Sequence, residues 1–179
     1  MEKVEREGRN SRTPSEGWNT HHFLVDGMLG STARKLRIYG YDTVYLKDAD
    51  DEELIRVSTM ERRLLLTSDR RLAQDSTRRG VGCILVTGRD DKERLCCIFR
   101  TLRLSPRLDP SISRCASCNG GLREVDKNEV SLSVPALALA RHDRFYVCDL
   151  CGKTYWEGSH WSKLEAFNSG LQNCLLDRR

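Results

Sequence analysis

The sequence has no long hydrophobic run. Its mean hydropathy is −0.55, and no stretch approaches the roughly 18 consecutive apolar residues of a membrane-spanning helix, so a transmembrane helix is excluded. Residues 1–20 are charged and polar and do not contain the apolar segment of a secretory signal. We therefore expect a cytoplasmic protein without a membrane partner.

Several motifs of cofactor and catalytic chemistry are also absent. There is no G-x-G-x-x-G segment and no Walker loop, so no cradle for a nucleotide cofactor is visible. Only 4 histidines occur, and the first half of the chain contains only His21 and His22, which leaves no Ser-His-Asp or Cys-His catalytic set. The formal net charge of +4 permits a nucleic-acid partner but does not require one.

Short apolar segments alternate with amphipathic ones in the first part of the chain. Four of them are predicted to be strands, at residues 23–25, 43–46, 64–67 and 83–86. A helix is predicted after each strand, because apolar residues recur there near helical spacing. Continuous apolar strands that alternate with helices are typical of a parallel sheet covered on both faces. The sequence therefore predicts an α/β domain with an open parallel sheet.

The composition divides the rest of the chain into three parts. Residues 1–20 lack apolar periodicity and are predicted to be a disordered tail. The α/β domain is predicted over residues 21–104, and residues 105–113, which contain two prolines, are predicted to be a linker. Residues 114–179 have a different pattern and are predicted to form a second, small domain with a C-terminal helix.

Two C-x-x-C pairs mark this second domain. Their cysteines are Cys115, Cys118, Cys148 and Cys151. Thiolates paired on two tight turns are typical of a closed tetrahedral zinc site, which leaves no position open for catalysis. Asn119 and Gly152 follow the pairs and tolerate the left-handed backbone that such turns need. We predict a zinc ribbon with structural Zn²⁺, a β-prone stretch over residues 125–134, and an amphipathic helix over about residues 162–171.

The other four cysteines are scattered along the chain. They are Cys83, Cys96, Cys97 and Cys174. Because no export signal is visible, a disulfide framework is not expected. We interpret these four residues as buried thiols that pack as small hydrophobic side chains.

Acidic side chains follow every predicted strand of the α/β domain. They are Asp26, the acidic run of residues 50–53, Asp69, Asp90 and Asp91. The carboxyl ends of parallel strands meet at one edge of a sheet, so these groups are expected to converge. Each acid could instead cap a helix or complement its dipole. Their coincidence at four strand ends favours a site for Mg²⁺ or Mn²⁺, ions that assist phosphodiester hydrolysis.

Basic side chains on the first predicted helix could bind phosphates beside these acids. They are Arg34, Lys35 and Arg37, of which Arg34 and Arg37 share a helical face. A solvated helix face is the alternative interpretation. The same two interpretations apply to the arginine pairs at 70–71 and 78–79.

Aromatic side chains are concentrated around the second cysteine pair, although aromatic residues are only 7% of the chain. They include Tyr146, Tyr155, Trp156 and Trp161, with His160 beside them. Such rings can stack on nucleic-acid bases. The alternative is that they pack a ribbon that has little other core.

Five segments of the chain form a combined pattern. They are residues 26–30, 33–37, 40–43, 51–54 and 63–70. This pattern resembles the Mut-seven C-terminal ribonuclease domain, a branch of the PIN-like nucleases that is known for a C-terminal zinc ribbon. With the ribbon included, the resemblance covers about residues 23–161.

Two positions depart from the family pattern. The residue after Gly30 is usually Lys and is Ser31 here, and the residue before Asp69 is often Arg and is Ser68 here. The chain therefore has two fewer basic groups near the predicted site.

The resemblance implies a PIN-like nuclease domain, followed by the zinc ribbon, that hydrolyses RNA at an acidic two-metal site. Asp26, Asp51 and Asp69 would hold catalytic Mg²⁺ or Mn²⁺, with Asp90 or Asp91 as a fourth acid. RNA would be the substrate, and the ribosome or another ribonucleoprotein is a candidate partner. The alternative is an RNA- or ribosome-associated binding protein with the same fold and little or no catalysis. The RNA target and the oligomeric state are not predicted.

Overall fold

The computed structural model describes residues 19–177, which form two sheets with helices packed on them. The first half contains β1 (Asn19–Asp26), α1 (Gly30–Ile38), β2 (Asp42–Leu46), α2 (Asp51–Glu61), β3 (Arg63–Thr67), α3 (Arg70–Arg78), β4 (Cys83–Leu85) and α4 (Asp91–Leu102). The second half contains β5 (Leu122–Val125), α5 (Lys127–Val130), α6 (Ala136–Arg141), β6 (Phe145–Cys148), β7 (Thr154–Trp156) and α7 (Ser159–Leu176). The predicted tail lies outside the described residues except for its last two, which begin β1.

The first sheet is parallel throughout, with the strand order β2-β1-β3-β4. Residues of β1 alternate between its two faces. Phe23 and Val25 pack with Phe99 of α4 on one face, and Leu24 packs with Leu72 of α3 on the other. Because helices cover both faces, the strands are almost wholly apolar. The predicted α/β fold with an open parallel sheet is confirmed.

The C-terminal helix α7 begins beside the ribbon and then packs against the core of the parallel sheet. Leu171 is fully buried in the core that also contains residues of α1 and α4, and Phe167 packs against the same core. The Tyr39 hydroxyl donates to Asn168 Oδ1 at 3.1 Å. The helix is longer than the predicted span of 162–171 at both ends. Neither α7 nor any other helix within residues 19–177 combines the length and apolar character needed to cross a membrane.

The predicted β-prone stretch over residues 125–134 is wrong beyond its first residue. Val125 ends β5, and the chain then forms α5 and a turn. Val125, Val130 and Val134 are buried against Phe145 and form a small core. Val125 pairs with Phe145 in the sheet, whereas Val130 and Val134 lie outside the strands. The second sheet is antiparallel, with the order β5-β6-β7.

The interpretation of Cys96 and Cys174 as separate buried thiols is also wrong. The two residues form a disulfide between α4 and α7, with their Cα atoms 6.2 Å apart. They are 78 residues apart in the chain and come together only because α7 packs on α4. Cys83 and Cys97 are free thiols, and Cys83 is buried as expected.

Replacement of Cys174 by Ser should lower the free energy of unfolding by about 2–4 kcal/mol, because the cross-link restricts a long loop of the unfolded chain. The measurement is denaturant unfolding without reductant. The control is Cys97→Ser, which removes a free thiol next to Cys96 and should change stability by less than about 0.5 kcal/mol. Equal losses in the two variants, or free-thiol titration that finds both Cys96 and Cys174 reduced, would contradict the disulfide.

Candidate functional site

The acidic residues predicted from the sequence lie at the carboxyl edge of the parallel sheet. Asp26 ends β1, Asp51 begins α2 after β2, and Asp69 stands between β3 and α3. The chain passes from β1 to β2 on one side and later places β3 on the other side of β1. In open α/β sheets, ligands bind in the crevice where the strand order reverses in this way.

Two glycines allow the end of β1 to approach β2 closely. A Cβ atom at Gly27 would collide with the carbonyl oxygen of Lys47, and one at Gly30 would lie 2.7 Å from the Tyr45 hydroxyl. That hydroxyl donates to the Gly27 carbonyl at 2.9 Å. These two glycines therefore fix the backbone that directly follows Asp26.

Thr67 joins two of the acids across the strand ends. Its hydroxyl donates to Asp26 Oδ2 at 2.7 Å and accepts the Asp69 backbone N–H at 2.9 Å. Thr67 is fully buried, so this geometry is held by the core. No role was predicted for Thr67 from the sequence, although it ends β3 in one of the segments that resemble the family.

The charges of three acids converge on Asp51. Burial raises the pKa of Asp51, and the nearby negative charges of Asp69, Asp26 and Asp50 raise this pKa further, while Arg71 opposes them. Asp26 and Asp69 therefore act on Asp51 through their charges. Their carboxylates and that of Asp51 are not, however, among the groups of side chains within residues 19–177 that lie close enough together to share a metal ion.

Asp69 and Asp90 also cap helices. Asp69 Oδ1 accepts the N–H groups of Arg71 and Leu72 at 2.6 and 3.2 Å. Asp90 Oδ1 accepts the Glu93 N–H at 2.9 Å and starts α4 in the same way. Each of these cap bonds uses one carboxylate oxygen, so a cap does not occupy the whole side chain.

Asp91 is committed to α1. It accepts hydrogen bonds from Ser31, Thr32 and Lys35 at 2.8, 3.1 and 2.7 Å. Burial alone would raise the pKa of Asp91, but these donors lower it. The prediction that Lys35 faces RNA phosphates needs correction, because its ammonium group is paired with Asp91.

The prediction that Arg37 binds RNA needs the same correction. Arg37 is 7% exposed, whereas Arg34 on the preceding turn is exposed. The Nε of Arg37 donates to the Thr43 carbonyl at 2.9 Å, and the Nη1 of Arg37 donates to the carbonyls of Ala116 and Ser117 at 3.1 Å each. The guanidinium therefore joins α1 and β2 to the first cysteine turn at the end of the sheet opposite the acids.

A second polar group strengthens this junction. Asp42 accepts hydrogen bonds from Arg63 at 2.7 Å and from Asn119 Nδ2 at 2.9 Å. Asn119 Oδ1 in turn accepts the Thr43 N–H at 2.9 Å. Although burial opposes the shift, these donors and the Arg114 charge lower the pKa of Asp42. Asn119 thus pairs with the edge of the parallel sheet through both ends of its amide.

Arginines of α3 lie beside Asp51 at the acid edge. Arg71 and Arg78, together with Gln74, line a polar groove of about 390 Å³ that also contains Asp51. All three side chains are exposed. From the sequence, the arginines of α3 could be given only the same two interpretations as those of α1. The sequence of one helix does not show which part of the fold each of its faces meets.

The four paired cysteines form a cluster that could hold a metal ion such as zinc. Their Sγ atoms all lie within 4.8 Å of one another, and this is the one such group of three or more Cys, His, Asp or Glu side chains within residues 19–177. Asn119 and Gly152 have φ of +71° and +70°, as predicted for the turns. A Cβ at Gly120 would lie 2.8 Å from Cys148 Sγ, so the turn leaves space only for the sulfur.

The environment of Cys115 favours the thiolate that a metal needs. Burial alone would raise its pKa, but the Tyr155 hydroxyl at 3.1 Å and the N–H groups of Cys118 and Ser117 lower the pKa of Cys115 to about 6. The neighbouring cysteine side chains raise the pKa of Cys118, so without a metal ion the cluster favours the thiolate at Cys115 and the thiol at Cys118. The four-sulfur donor set fits Zn²⁺.

Comparison with known families identifies the family of this chain. The family model described as the Mut7-C RNAse domain matches residues 21–168. The chain belongs to this family. A search of curated proteins and a search of solved structures each returned no match. Membership indicates a nuclease-type function with RNA as the substrate.

The first departure from the family pattern, Ser31, forms a hydrogen bond within this chain. Ser31 occupies the position where the family usually has Lys, and its hydroxyl donates to Asp91 at 2.8 Å. The second departure, Ser68, is half-buried beside the acid edge. The basic groups that line a groove together with Asp51 come from α3.

Replacement of Arg37 by Met should lower the free energy of unfolding by about 2–4 kcal/mol, because one buried and two partly buried carbonyls would lose a charged donor. The matched control is Arg34→Met on the exposed side of the same helix, with a change below about 0.5 kcal/mol. Thermal and denaturant unfolding measure both. A difference between the variants that appears only in RNA affinity, with equal stability, would contradict the structural role of Arg37.

Proposed function

We propose that the chain is a metal-dependent ribonuclease that hydrolyses RNA phosphodiester bonds at the acidic edge of its parallel sheet. The proposal is supported by the placement of Asp26, Asp51 and Asp69 after strands of the parallel sheet where the strand order reverses, and by the effect of the Asp26 and Asp69 charges on the pKa of Asp51. Membership of a ribonuclease family supports RNA as the substrate.

The donor chemistry of this acid set fits Mg²⁺ or Mn²⁺. Carboxylate oxygens are the ligands that these ions prefer, and the raised pKa of Asp51 reflects burial and a repulsion that a cation would relieve. A bound ion would supply an activated water and would neutralise the charge that develops on the phosphate. Thr67 orients Asp26 through Oδ2, and the helix cap orients Asp69 through Oδ1.

The remaining roles follow from the partners of each side chain. We assign Asp90 as the further acid, because Asp91 already accepts three hydrogen bonds from α1. Arg71 and Arg78 line the groove beside Asp51 and would bind the phosphates of the substrate strand. Arg34 is the one residue of the three predicted on α1 that is still available for this purpose.

We also propose that Zn²⁺ at the four paired cysteines is structural. Four thiolates fill a tetrahedral coordination shell, so no position is left for a substrate. The Tyr155 hydroxyl would hold Cys115 in position by donating to its sulfur. The ribbon core is small, so metal binding would supply much of its stability.

Replacement of Asp26 or Asp69 by Asn should reduce metal-dependent RNA cleavage to background, because each change removes one ligand charge. In the Asp69→Asn variant the amide oxygen can still cap α3, so the free energy of unfolding should stay unchanged or rise as like charges separate. The control is Asp48→Asn, an exposed acid in the turn after β2. The assay compares cleavage with Mg²⁺, with Mn²⁺ and with EDTA.

Two outcomes of this assay would contradict the proposal. Equal cleavage by wild type and both variants would identify a contaminating nuclease. No cleavage by wild type across varied RNAs and both metals would favour the second candidate, an RNA- or ribosome-associated binding protein. Two observations support that candidate: Lys35 is paired with Asp91, and Ser31 and Ser68 stand where the family pattern has basic residues. Fewer cations therefore face the acids.

Replacement of Cys148 and Cys151 by Ser should abolish zinc binding and expose the ribbon to protease, because structural zinc contributes on the order of 10 kcal/mol to a unit of this kind. The measurements are metal content and limited proteolysis of the purified chain. Cys97→Ser, outside the cluster, should retain full zinc content. Unchanged zinc content in the double variant would refute the site.

A further inference from the structure

A second groove runs along α3 on the side of the edge strand β4. Its volume is about 340 Å³, and its lining residues are Arg70, Ala73, Gln74, Thr77, Arg78 and Leu85. None of these side chains is acidic, whereas the groove beside Asp51 also contains Asp75. Gln74 and Arg78 line both grooves, so the two grooves adjoin along α3.

Three polar side chains of the second groove form a stripe on α3. Arg70, Gln74 and Arg78 follow one another at intervals of four residues, which places them on one side of the helix, and each is exposed. Because an α-helix rises 1.5 Å per residue, neighbours in the stripe are separated by about 6 Å along the axis, and its ends by about 12 Å. This spacing is comparable to that of consecutive phosphates in an extended nucleic-acid strand.

The two arginines of the stripe have no acidic partner. Neither Arg70 nor Arg78 forms an ion pair within residues 19–177. The next arginine, Arg79, is by contrast paired with Glu52 at 2.6 Å and with Asp75 at 2.8 Å. A guanidinium without an acidic partner keeps its N–H donors available for an anion such as a phosphate. The stripe therefore offers two available positive charges with an amide donor between them.

The charges around α3 favour the β4 side for a polyanion. Arg70 directly follows Asp69, so the stripe begins at the acid edge. On the α2 side of the helix, the positive charge of Arg79 is already neutralised by Glu52 and Asp75. A phosphate backbone that leaves the acid edge is thus attracted along the stripe and gains little on the α2 side.

We propose that the second groove binds consecutive phosphates of one RNA strand on one side of the scissile bond, so that the substrate is single-stranded where it lies along α3. The proposal rests on the proposed function, because it takes RNA as the substrate of the acid edge. Arg70 binds a phosphate next to the acids, and Arg78 binds one about 12 Å farther along the strand. The stripe is one side chain wide, so it follows one strand and offers no contacts to a complementary strand.

The test is binding of the full chain to a labelled oligouridylate, without added Mg²⁺ or Mn²⁺, over a series of salt concentrations. The logarithm of single-strand affinity falls with the logarithm of salt concentration by about 0.7 per phosphate contact. Replacement of both Arg70 and Arg78 by Gln should therefore reduce this slope by about 1.4 and weaken binding roughly tenfold. The same replacements should have a much smaller effect on binding to the oligouridylate annealed to its complement.

A gain of binding separates the stripe from damage to the fold. Gln74→Arg adds a third positive charge to the stripe and should tighten single-strand binding and increase the slope by about 0.7. The matched control for lost charge is the joint replacement of Arg62 and Arg103 by Gln. These two exposed arginines follow α2 and α4, at the sheet edge opposite the acids, so the slope should stay unchanged.

An unchanged slope after replacement of Arg70 and Arg78 would overturn the proposal, as would the same loss in the Arg62 and Arg103 control. Absence of single-strand binding by wild type at low salt, or an equal loss for the duplex, would also overturn it. Equal competition by an oligoglutamate of the same charge would reassign the groove to an acidic polypeptide. RNA cleavage with an unchanged slope would remove the groove assignment alone, and binding that depends on the stripe without cleavage would remove the ribonuclease proposal alone.

Discussion

The position of the ribbon depends on one buried guanidinium. Among the residues that the structure describes, Arg37 has no carboxylate partner in its hydrogen bonds, and carbonyl oxygens of β2 and of the first cysteine turn accept from it. Burial lowers the pKa of Arg37, and the nearby sulfurs of Cys115 and Cys118 oppose this shift when they carry negative charge. Because α1 runs from the acid edge to this junction, a single rigid helix relates the cysteine cluster to the acids. The two sheets therefore act as one scaffold.

At the acid edge, helix capping and site formation are compatible functions of the same residues. A cap fixes the rotamer of Asp69 by bonding one oxygen to the first turn of α3, which leaves the other oxygen outside the cap. Thr67 then connects this turn to Asp26. An acid that is already oriented loses less conformational entropy when it binds a cation. The choice between a helix cap and a ligand, which the sequence leaves open, is therefore not a choice between exclusive roles.

The parts of the fold that follow from short-range pattern were predictable. The helix predicted after the second strand is present as α2, since Asp50 caps it and apolar residues recur along it. The acid edge was predictable as well, because the carboxyl ends of parallel strands all lie at the same edge of the sheet. The burial of Arg37 was not, since spacing on α1 relates it to Arg34 but does not reveal that the ribbon docks there. The Cys96–Cys174 pair likewise depends on packing between distant helices, which no local pattern encodes.

The return of α7 to the first sheet makes the ribbon an insertion between two helices that contact each other. During synthesis, the strands of the parallel sheet emerge first, but one side of α4 stays uncovered until Leu171 has left the ribosome. The nascent chain therefore carries an exposed apolar surface while the ribbon is being translated. The parallel sheet can therefore be fully covered only after both cysteine turns have been translated.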